Sequence, residues 1–478
     1  MIAYLLFLLL LQHVVGFGVR ITPYVVRRSA LLMAEAEKVV IIGGGFGGLY
    51  TALELATTHK DSVDVTLVDS KDKFVFHPLL YELATGTASI LEVAPRYEDL
   101  LQGTGVRFRQ ATVSSVDIGA RTLALTTTKG EDEQLAFDQA VVATGAAPRT
   151  DIIPGASTHA TPFSRIGDAY TLKQRLRELE TSTKDKIRVT VVGGGYSGVE
   201  VASSVADYLG PDRAEVRIVD RNPCIMHTSP QHNRVTSEKR LADLGVKLIV
   251  GTSVVSIGDG SITLASRYGD GADEWQEDTD LVVLTVGIRP SALVESLTLP
   301  NTDGISMQVA GGGRLAVNST LRCKGEGCDA FWALGDNACV VDANGTETAV
   351  PLTAQVAMQQ SAIVAANIAM VADAKAKANS NSNFDTTSDA VPLLLHLRRF
   401  SYVPLGEALT LGATDASISS LGGLLQIKGP AAAIARRLLY AARMPTNKQR
   451  ATAVMASAVQ SAAVLLQRGL QAQQRKKK

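Results

Sequence analysis

The chain has 478 residues, with 47 basic and 47 acidic side chains, so its formal charge is zero. Its length exceeds what one ordinary core supports and calls for two or three domains. A composition of 46% hydrophobic and 20% charged residues is globular, and the neutral total argues against a nucleic-acid partner.

Residues 1–36 read as a targeting presequence. "IAYLLFLLLLQ" is an apolar run with the length of a signal-peptide core, too short to span a bilayer and without the usual basic flank. The following "VRITPYVVRRSALLMA" carries Arg20, Arg27 and Arg28 and no acid before Glu35, which is transit-peptide composition. Signal then transit resembles the bipartite presequences of algae with complex plastids. A plastid destination is expected, with a mitochondrial or simple secretory one left open.

The folded chain is expected to start near Lys38. "KVVIIGGGFGGLYTALELATTHKDSVDVTLVDS" reads as a buried strand, a glycine turn, an amphipathic helix and a second strand ending in Asp69. Gly43, Gly45 and Gly48 fit G-x-G-x-x-G. The first permits the tight turn, the second lets backbone approach a pyrophosphate, and the third lets helix and strand pack closely. Gly44, Phe46 and Gly47 complete the turn at the helix N-terminus, where free N–H groups meet a diphosphate. Asp69 is placed to accept from a ribose diol.

The same unit returns at Ile187–Arg221, with Gly193, Gly195 and Gly198, the interleaved Tyr196 and Ser197, and a terminal Asp220. "VVATGAAPR", with Thr144 and Gly145, is echoed by "LVVLTVGIRP", with Gly287. Two complete sites imply two dinucleotides, one passing electrons to the other. Asp220 favours an unphosphorylated ribose, hence NADH, while Arg221 beside it leaves NADPH open. "FWALGDNA" then places Gly335 and Asp336 at a strand end suited to a ribityl chain, which makes the first unit the FAD holder.

The fold class is therefore α/β: two Rossmann-like dinucleotide-binding domains, the second inserted in the first. The FAD-binding domain is expected to cover 38–150 and 314–413, the NAD(P)H-binding domain 151–313, and a helical, amphipathic membrane-association region 414–478. Residues 371–390 are polar and low in complexity and read as a surface loop. From Ala416 to the end there are eleven Lys/Arg and no acid. "AAAIARRLLYAARMP" and "QRATAVMASAVQSAAVLLQRGL" place apolar residues at helical spacing with arginines beside or opposite, the pattern of helices lying on an anionic membrane surface. The four cysteines, Cys224, Cys323, Cys328 and Cys339, show no metal-site spacing, and no metal is expected. A redox role for Cys323 and Cys328 is the alternative to two cysteines in a polar loop.

"GGGFGGLYTALEL", "FVFHPLLYELATG", "VVATGAAPR", "VVGGGYSGVEVA", "FWALGDNA" and "PLTAQVAMQQ", in that order, resemble the type II NAD(P)H:quinone dehydrogenases, single-subunit flavoenzymes that do not pump protons. "FHPLLYELATG", "EVAPRYEDLL" and "ARRLLYAARMPT" look most like the plant and algal plastid and mitochondrial branch. The resemblance implies hydride transfer from NADH or NADPH to FAD, then two electrons to a membrane quinone: plastoquinone, a naphthoquinone or ubiquinone. It implies a peripheral membrane enzyme, with a homodimer as the candidate assembly. It also assigns roles. Ala354 meets the flavin through its main chain, and Gln355 and Gln359, four residues apart on one helix face, line the quinone pocket. Glu200 matches a glutamate near the nicotinamide and the quinone side of the flavin that helps relay protons. His77 stands where many members carry Lys at the flavin edge, and a neutral imidazole there could still donate to the ring. The alternative readings are a related flavoprotein reductase, including the sulfide:quinone type through Cys339, and a non-catalytic nucleotide sensor.

Overall fold

The computed structural model describes residues 36–267, 273–300, 304–380 and 396–459. The expected presequence, apart from Ala36, and the "QQRKKK" end lie outside them.

Strand β1 (Glu37–Ile42) runs into helix α1 (Phe46–Thr58) and returns as β2 (Val63–Asp69). Val39 to Ile42 are all buried, as a strand covered on both faces requires. A short helix, α2 (Leu80–Ala84), precedes the meander β3 (Arg107–Asp117), β4 (Thr122–Thr127) and β5 (Asp132–Ala136), and the chain re-enters the sheet as β6 (Gln139–Val142). The second unit repeats this plan. It contains β7 (Ala160–Pro162), β8 (Ile187–Val192), α3 (Tyr196–Leu209), β9 (Ala214–Asp220), β10 (Lys247–Val250) and β11 (Leu281–Leu284). Strand β12 (Phe331–Ala333) then returns to the first sheet.

The first sheet has the order β12-β6-β1-β2-β3-β4-β5 and the second β10-β9-β8-β11-β7. Because β12 joins β6 after the whole second sheet has formed, the second domain is inserted in the first. The repeat extends to detail. Val39 pairs with Val65 as Val189 pairs with Val216. Each meander carries one register shift, between Val113 and Ser115 in the first copy and between Val254 and Ser256 in the second. The chain leaves and re-enters the first domain along two antiparallel segments, with Ala147 opposite Arg289.

Helix α4 (Ala354–Ser380) lies along α1 and buries Val364, Ala365, Ile368 and Ala369. It overturns part of the loop expected over 371–390, because Val371 and Ala372 continue its apolar stripe into the core. Residues 381–390 of that loop lie outside the described set.

The C-terminal region is not helical throughout. A three-stranded antiparallel sheet precedes its helices, made of β13 (Glu407–Thr410), still within the segment assigned to the FAD-binding domain, β14 (Ala416–Ser420) and β15 (Leu425–Gly429). Ser417, Ser419 and Ile418 alternate along β14, a period-two signal that the apolar-basic composition masked. Helix α5 (Pro430–Ala442) follows and packs on this sheet, and a last helix spans 447–459.

Candidate active site

Both glycine turns sit at the carboxyl ends of β1 and β8, where an open α/β sheet leaves a crevice. Gly43 has φ +99° and Gly193 φ +110°, conformations that L side chains rarely adopt. A Cβ on Gly48 would stand 1.8 Å from the Gly43 carbonyl oxygen, and one on Gly198 equally close to that of Gly193. Gly45 and Gly195, by contrast, face open space. They are the N-caps of α1 and α3, no side chain caps either helix, and neither helix has an acid in its first turn. Two uncapped helix ends with an open approach are what two dinucleotide diphosphates require. The residues therefore fit FAD at the first turn and NAD(P)H at the second.

The terminal acids also act within the turns. Asp69 Oδ2 accepts from the Gly44 N–H at 2.6 Å and Oδ1 from the Lys71 N–H at 2.8 Å. Asp220 accepts from the Gly194 N–H and, at 2.7 Å, from the Asn222 N–H. Each carboxylate oxygen keeps a further lone pair for a ribose hydroxyl. Tyr97, which sequence reasoning missed, donates to the Gly44 carbonyl at 2.8 Å and packs where a Cβ on Gly44 would fall. Phe46 and Gly47 are buried at the start of α1, whereas Ser197 is exposed in the first turn of α3. Tyr196 donates to Glu407 of β13.

Thr144 and Gly145 lie where the chain leaves the first domain. The Thr144 hydroxyl is 2.9 Å from that of Ser291, and the Gly145 N–H donates to Asn337 Oδ1 at 3.0 Å. Gly287, at φ +74°, accepts from the Arg149 N–H. Gly335 has φ +77° and donates to Gln360 Oε1 at 2.7 Å. Asp336 follows it, and desolvation raises its carboxyl above the usual range. Asn337 and Gln360 thus brace Gly145 and the Gly335–Asp336 turn. Asn337 follows the Gly-Asp pair directly and Gln360 follows Gln359, so both lay within the motifs quoted without being singled out.

Glu200, buried on α3, is where the second domain, the first domain and the C-terminal region converge. Its Oε1 accepts from the Tyr81 hydroxyl at 2.6 Å and from the Thr410 N–H at 3.0 Å. Tyr81 in turn accepts from Arg436 at 2.7 Å. Desolvation raises the Glu200 carboxyl to about 7, with Arg436 and the Tyr81 hydrogen bond pulling against it. Arg436 is 1% exposed, bonds Glu82 at 2.7 Å, and lies 4.7 Å from the Tyr440 ring centroid. Arg437 also bonds Glu82. The expectation that these two arginines of α5 face lipid headgroups is overturned: both turn inward, because Glu82 on α2 offers a buried counter-charge.

An aromatic wall runs from this cluster to the first glycine turn. Tyr440 meets Phe76 at 5.6 Å, Phe76 meets Phe46 at 5.3 Å, and Phe46 lies 6.4 Å from His77. His77 Nε2 is 3.1 Å from the Ser164 carbonyl oxygen, so that nitrogen carries the proton and Nδ1 is the acceptor. The side chain opens to solvent, yet the protein around the ring lowers its proton affinity.

The paired glutamines share one face of α4, whose first residue is Ala354. Gln355 donates to the Gly406 carbonyl and accepts from the Tyr402 hydroxyl at 2.8 Å and the Leu405 N–H at 3.1 Å. Gln359 donates to the Val403 carbonyl at 2.8 Å and accepts from its N–H at 3.0 Å. Both amides clamp the extended segment 402–406. Cys323, Cys328 and Cys339 are buried, and burial pushes the Cys328 thiol up to about 11, far from a reactive thiolate.

Residues 37–361 match the family described as pyridine nucleotide-disulphide oxidoreductase. The chain is 38% identical over 427 residues to a demethylphylloquinone reductase of Synechocystis sp., covering 88% of this chain and 95% of the relative. It is 33% identical over 440 residues to an alternative NAD(P)H-ubiquinone oxidoreductase of Arabidopsis thaliana named as chloroplastic/mitochondrial, covering 87% and 79%. Among solved structures, NDH2 of Plasmodium falciparum in complex with NADH superposes with a TM-score of 0.74 at 17% identity, over 88% of this chain and 97% of that one. A sulfide:quinone oxidoreductase of Aquifex aeolicus superposes at 0.65, with 18% identity over 86% and 92%. At these low identities the structures attest the shared fold. The extent and level of the sequence matches place the chain in the pyridine nucleotide-disulphide oxidoreductase family and, within it, among the type II NAD(P)H:quinone oxidoreductases.

Proposed function

We propose that this chain oxidises NADH or NADPH at the Gly193–Gly198 turn and passes two electrons, through FAD held at the Gly43–Gly48 turn, to a membrane quinone. The observation that carries the reading is the position of Glu200, buried between the second glycine turn and the aromatic wall of the first. FAD, when bound, supplies the chemistry of accepting a hydride and releasing two electrons. The chain's residues bind, orient and exclude water. The uncapped ends of α1 and α3 hold the diphosphates, and Asp69 and Asp220 hold ribose hydroxyls. Phe46, Phe76 and Tyr440 keep the reacting region dry. Glu200 holds a proton near neutral pH and yields it to the quinone. Gln355 and Gln359 shape the quinone pocket through the segment they clamp.

The quinone is lipid-soluble, and the reading includes peripheral attachment to an anionic membrane. Exposed Val403, Leu405, Leu421, Leu424 and Ile434, on segments around the C-terminal sheet, support it. So do the basic, acid-free residues beyond Ala416. No helix among the described residues is long and apolar enough to cross a membrane. A plastid location, with the mitochondrion as the alternative, is supported by the presequence and by the name of the Arabidopsis relative.

One steady-state assay tests the reading: NADH against NADPH, and plastoquinone, naphthoquinone and ubiquinone analogues, on the FAD-loaded protein. Flavin that NAD(P)H bleaches and a quinone restores is the expected result. Flavin that no quinone reoxidises would sink it.

A further inference from the structure

The two glycine turns differ in what holds the first side chain of the helix that follows. In the first copy that residue is Phe46, and other rings fix it: Phe74 at 5.1 Å and Phe76 at 5.3 Å. In the second copy the same position is Tyr196, half-buried and without a ring contact among the described residues. Its hydroxyl donates instead to Oε2 of Glu407, 211 residues further along the chain at the start of β13.

Glu407 is itself built into place. Gly406 before it has φ +104°, and a Cβ there would stand 2.5 Å from the Ser419 carbonyl oxygen. Strands β13 and β14 therefore meet at a separation that only glycine allows. The Glu407 carboxylate also accepts from the Asn233 amide at 3.4 Å. Asn233 is fully buried and accepts in turn from the Ser417 hydroxyl of β14 at 2.8 Å. Burial raises the proton affinity of Glu407, and no charged neighbour offsets it. A half-buried carboxylate without a counter-charge is costly, and neutral donors steady it.

The contact has a definite place relative to a bound dinucleotide. Tyr196 and Glu200 are four residues apart and share a face of α3. On that face Glu200 accepts from Tyr81 of the first domain and from the N–H of Thr410, three residues after Glu407. Asp220 is set to hold the adenosine ribose, so the reactive end of the nucleotide must lead toward the first domain, along the Tyr196–Glu200 face.

We propose that Glu407 is a positioning residue for the nicotinamide end of NAD(P)H, holding the Tyr196 ring as the wall against which that end is seated. The inference rests on the functional reading above. A ring locked before the nucleotide arrives spares part of the ordering cost of binding.

The test compares NAD⁺ with ADP-ribose, which lacks the nicotinamide, by calorimetry on the full-length, FAD-loaded protein. Neither ligand delivers a hydride, so binding is read without turnover. Glu407→Leu and Tyr196→Phe should each weaken NAD⁺ binding by about 10-fold, the loss of one hydrogen bond to a carboxylate. Both should bind ADP-ribose as wild type does. The double variant should bind NAD⁺ no more weakly than either single one, and Glu407→Gln, which keeps an acceptor, should recover most of the affinity. Tyr196→Phe carries the test should Glu407→Leu fail to fold. Equal weakening of both ligands, or additive losses in the double variant, would overturn the inference by reducing the contact to a structural one. Wild-type NAD⁺ affinity in the single variants would also overturn it and leave the functional reading standing. Wild-type protein that binds neither ligand would overturn both, because the second turn would then hold no dinucleotide.

Discussion

The Tyr81 hydroxyl donates to Glu200 Oε1 across 2.6 Å, joining the first dinucleotide domain to the second at a carboxyl poised near neutral pH. Arg436, from the C-terminal helix, donates to the same hydroxyl. Three parts of the chain remote in sequence therefore set one proton affinity.

Replacing Glu200 by Gln keeps the shape and removes the titrating group. Quinone-dependent turnover should fall by roughly 100-fold or more, with flavin bleaching by NADH retained. The limb of the pH profile near about 7 should vanish. A profile identical to wild type would remove Glu200 from the proton step.

The same substitution changes stability against pH. The folded-state value of about 7 lies above the ordinary 4.5, so the folded protein binds the extra proton between these limits. Stability falls as pH rises through that window, by about 3 kcal/mol, and levels off above it. Glu200→Gln should flatten this slope in urea titrations at pH 5, 6 and 7. An unchanged slope would show that other groups account for it.

Tyr81→Phe removes a donor to the charged form of Glu200. The pH midpoint of quinone reduction should move upward, and stability should drop by about 1–3 kcal/mol because Arg436 loses an acceptor. Arg436→Met should cost more, about 3–5 kcal/mol, because it breaks the buried pair with Glu82. A Tyr81→Phe protein with the wild-type midpoint would show that the hydroxyl is only packing.

The two glycine turns should be separable. A Cβ at Gly48 or at Gly198 collides with its own turn at 1.8 Å. Gly48→Ala should yield protein without bound flavin, read from its visible absorbance. Gly198→Ala should keep the flavin and lose its bleaching by NADH. The reverse pattern would exchange the assigned cofactors.

Gln359→Leu removes both bonds that hold Val403. The quinone KM should rise several-fold with little change in flavin reduction, since the segment loosens away from the hydride path. An increase in the KM for NADH alone would contradict the clamp.

The sequence by itself determined the two nucleotide-binding units. Their signals are local: β-branched runs, glycine spacing and a terminal acid recur within about thirty residues, the span of one βαβ unit. Glu200, Gln355 and the Gly335–Asp336 turn were legible for the same reason, each lying inside or just after such a motif. Tertiary structure alone decided what surrounds them. Tyr81 and Thr410 bond Glu200 from sequence separations of 119 and 210 residues, and Arg436 bonds Tyr81 across 355. No local period encodes a contact at that distance. The C-terminal arginines looked like a lipid-facing stripe because composition records charge but not the partner a helix finds. Glu82 drew Arg436 and Arg437 inward, since a buried carboxylate requires a counter-charge.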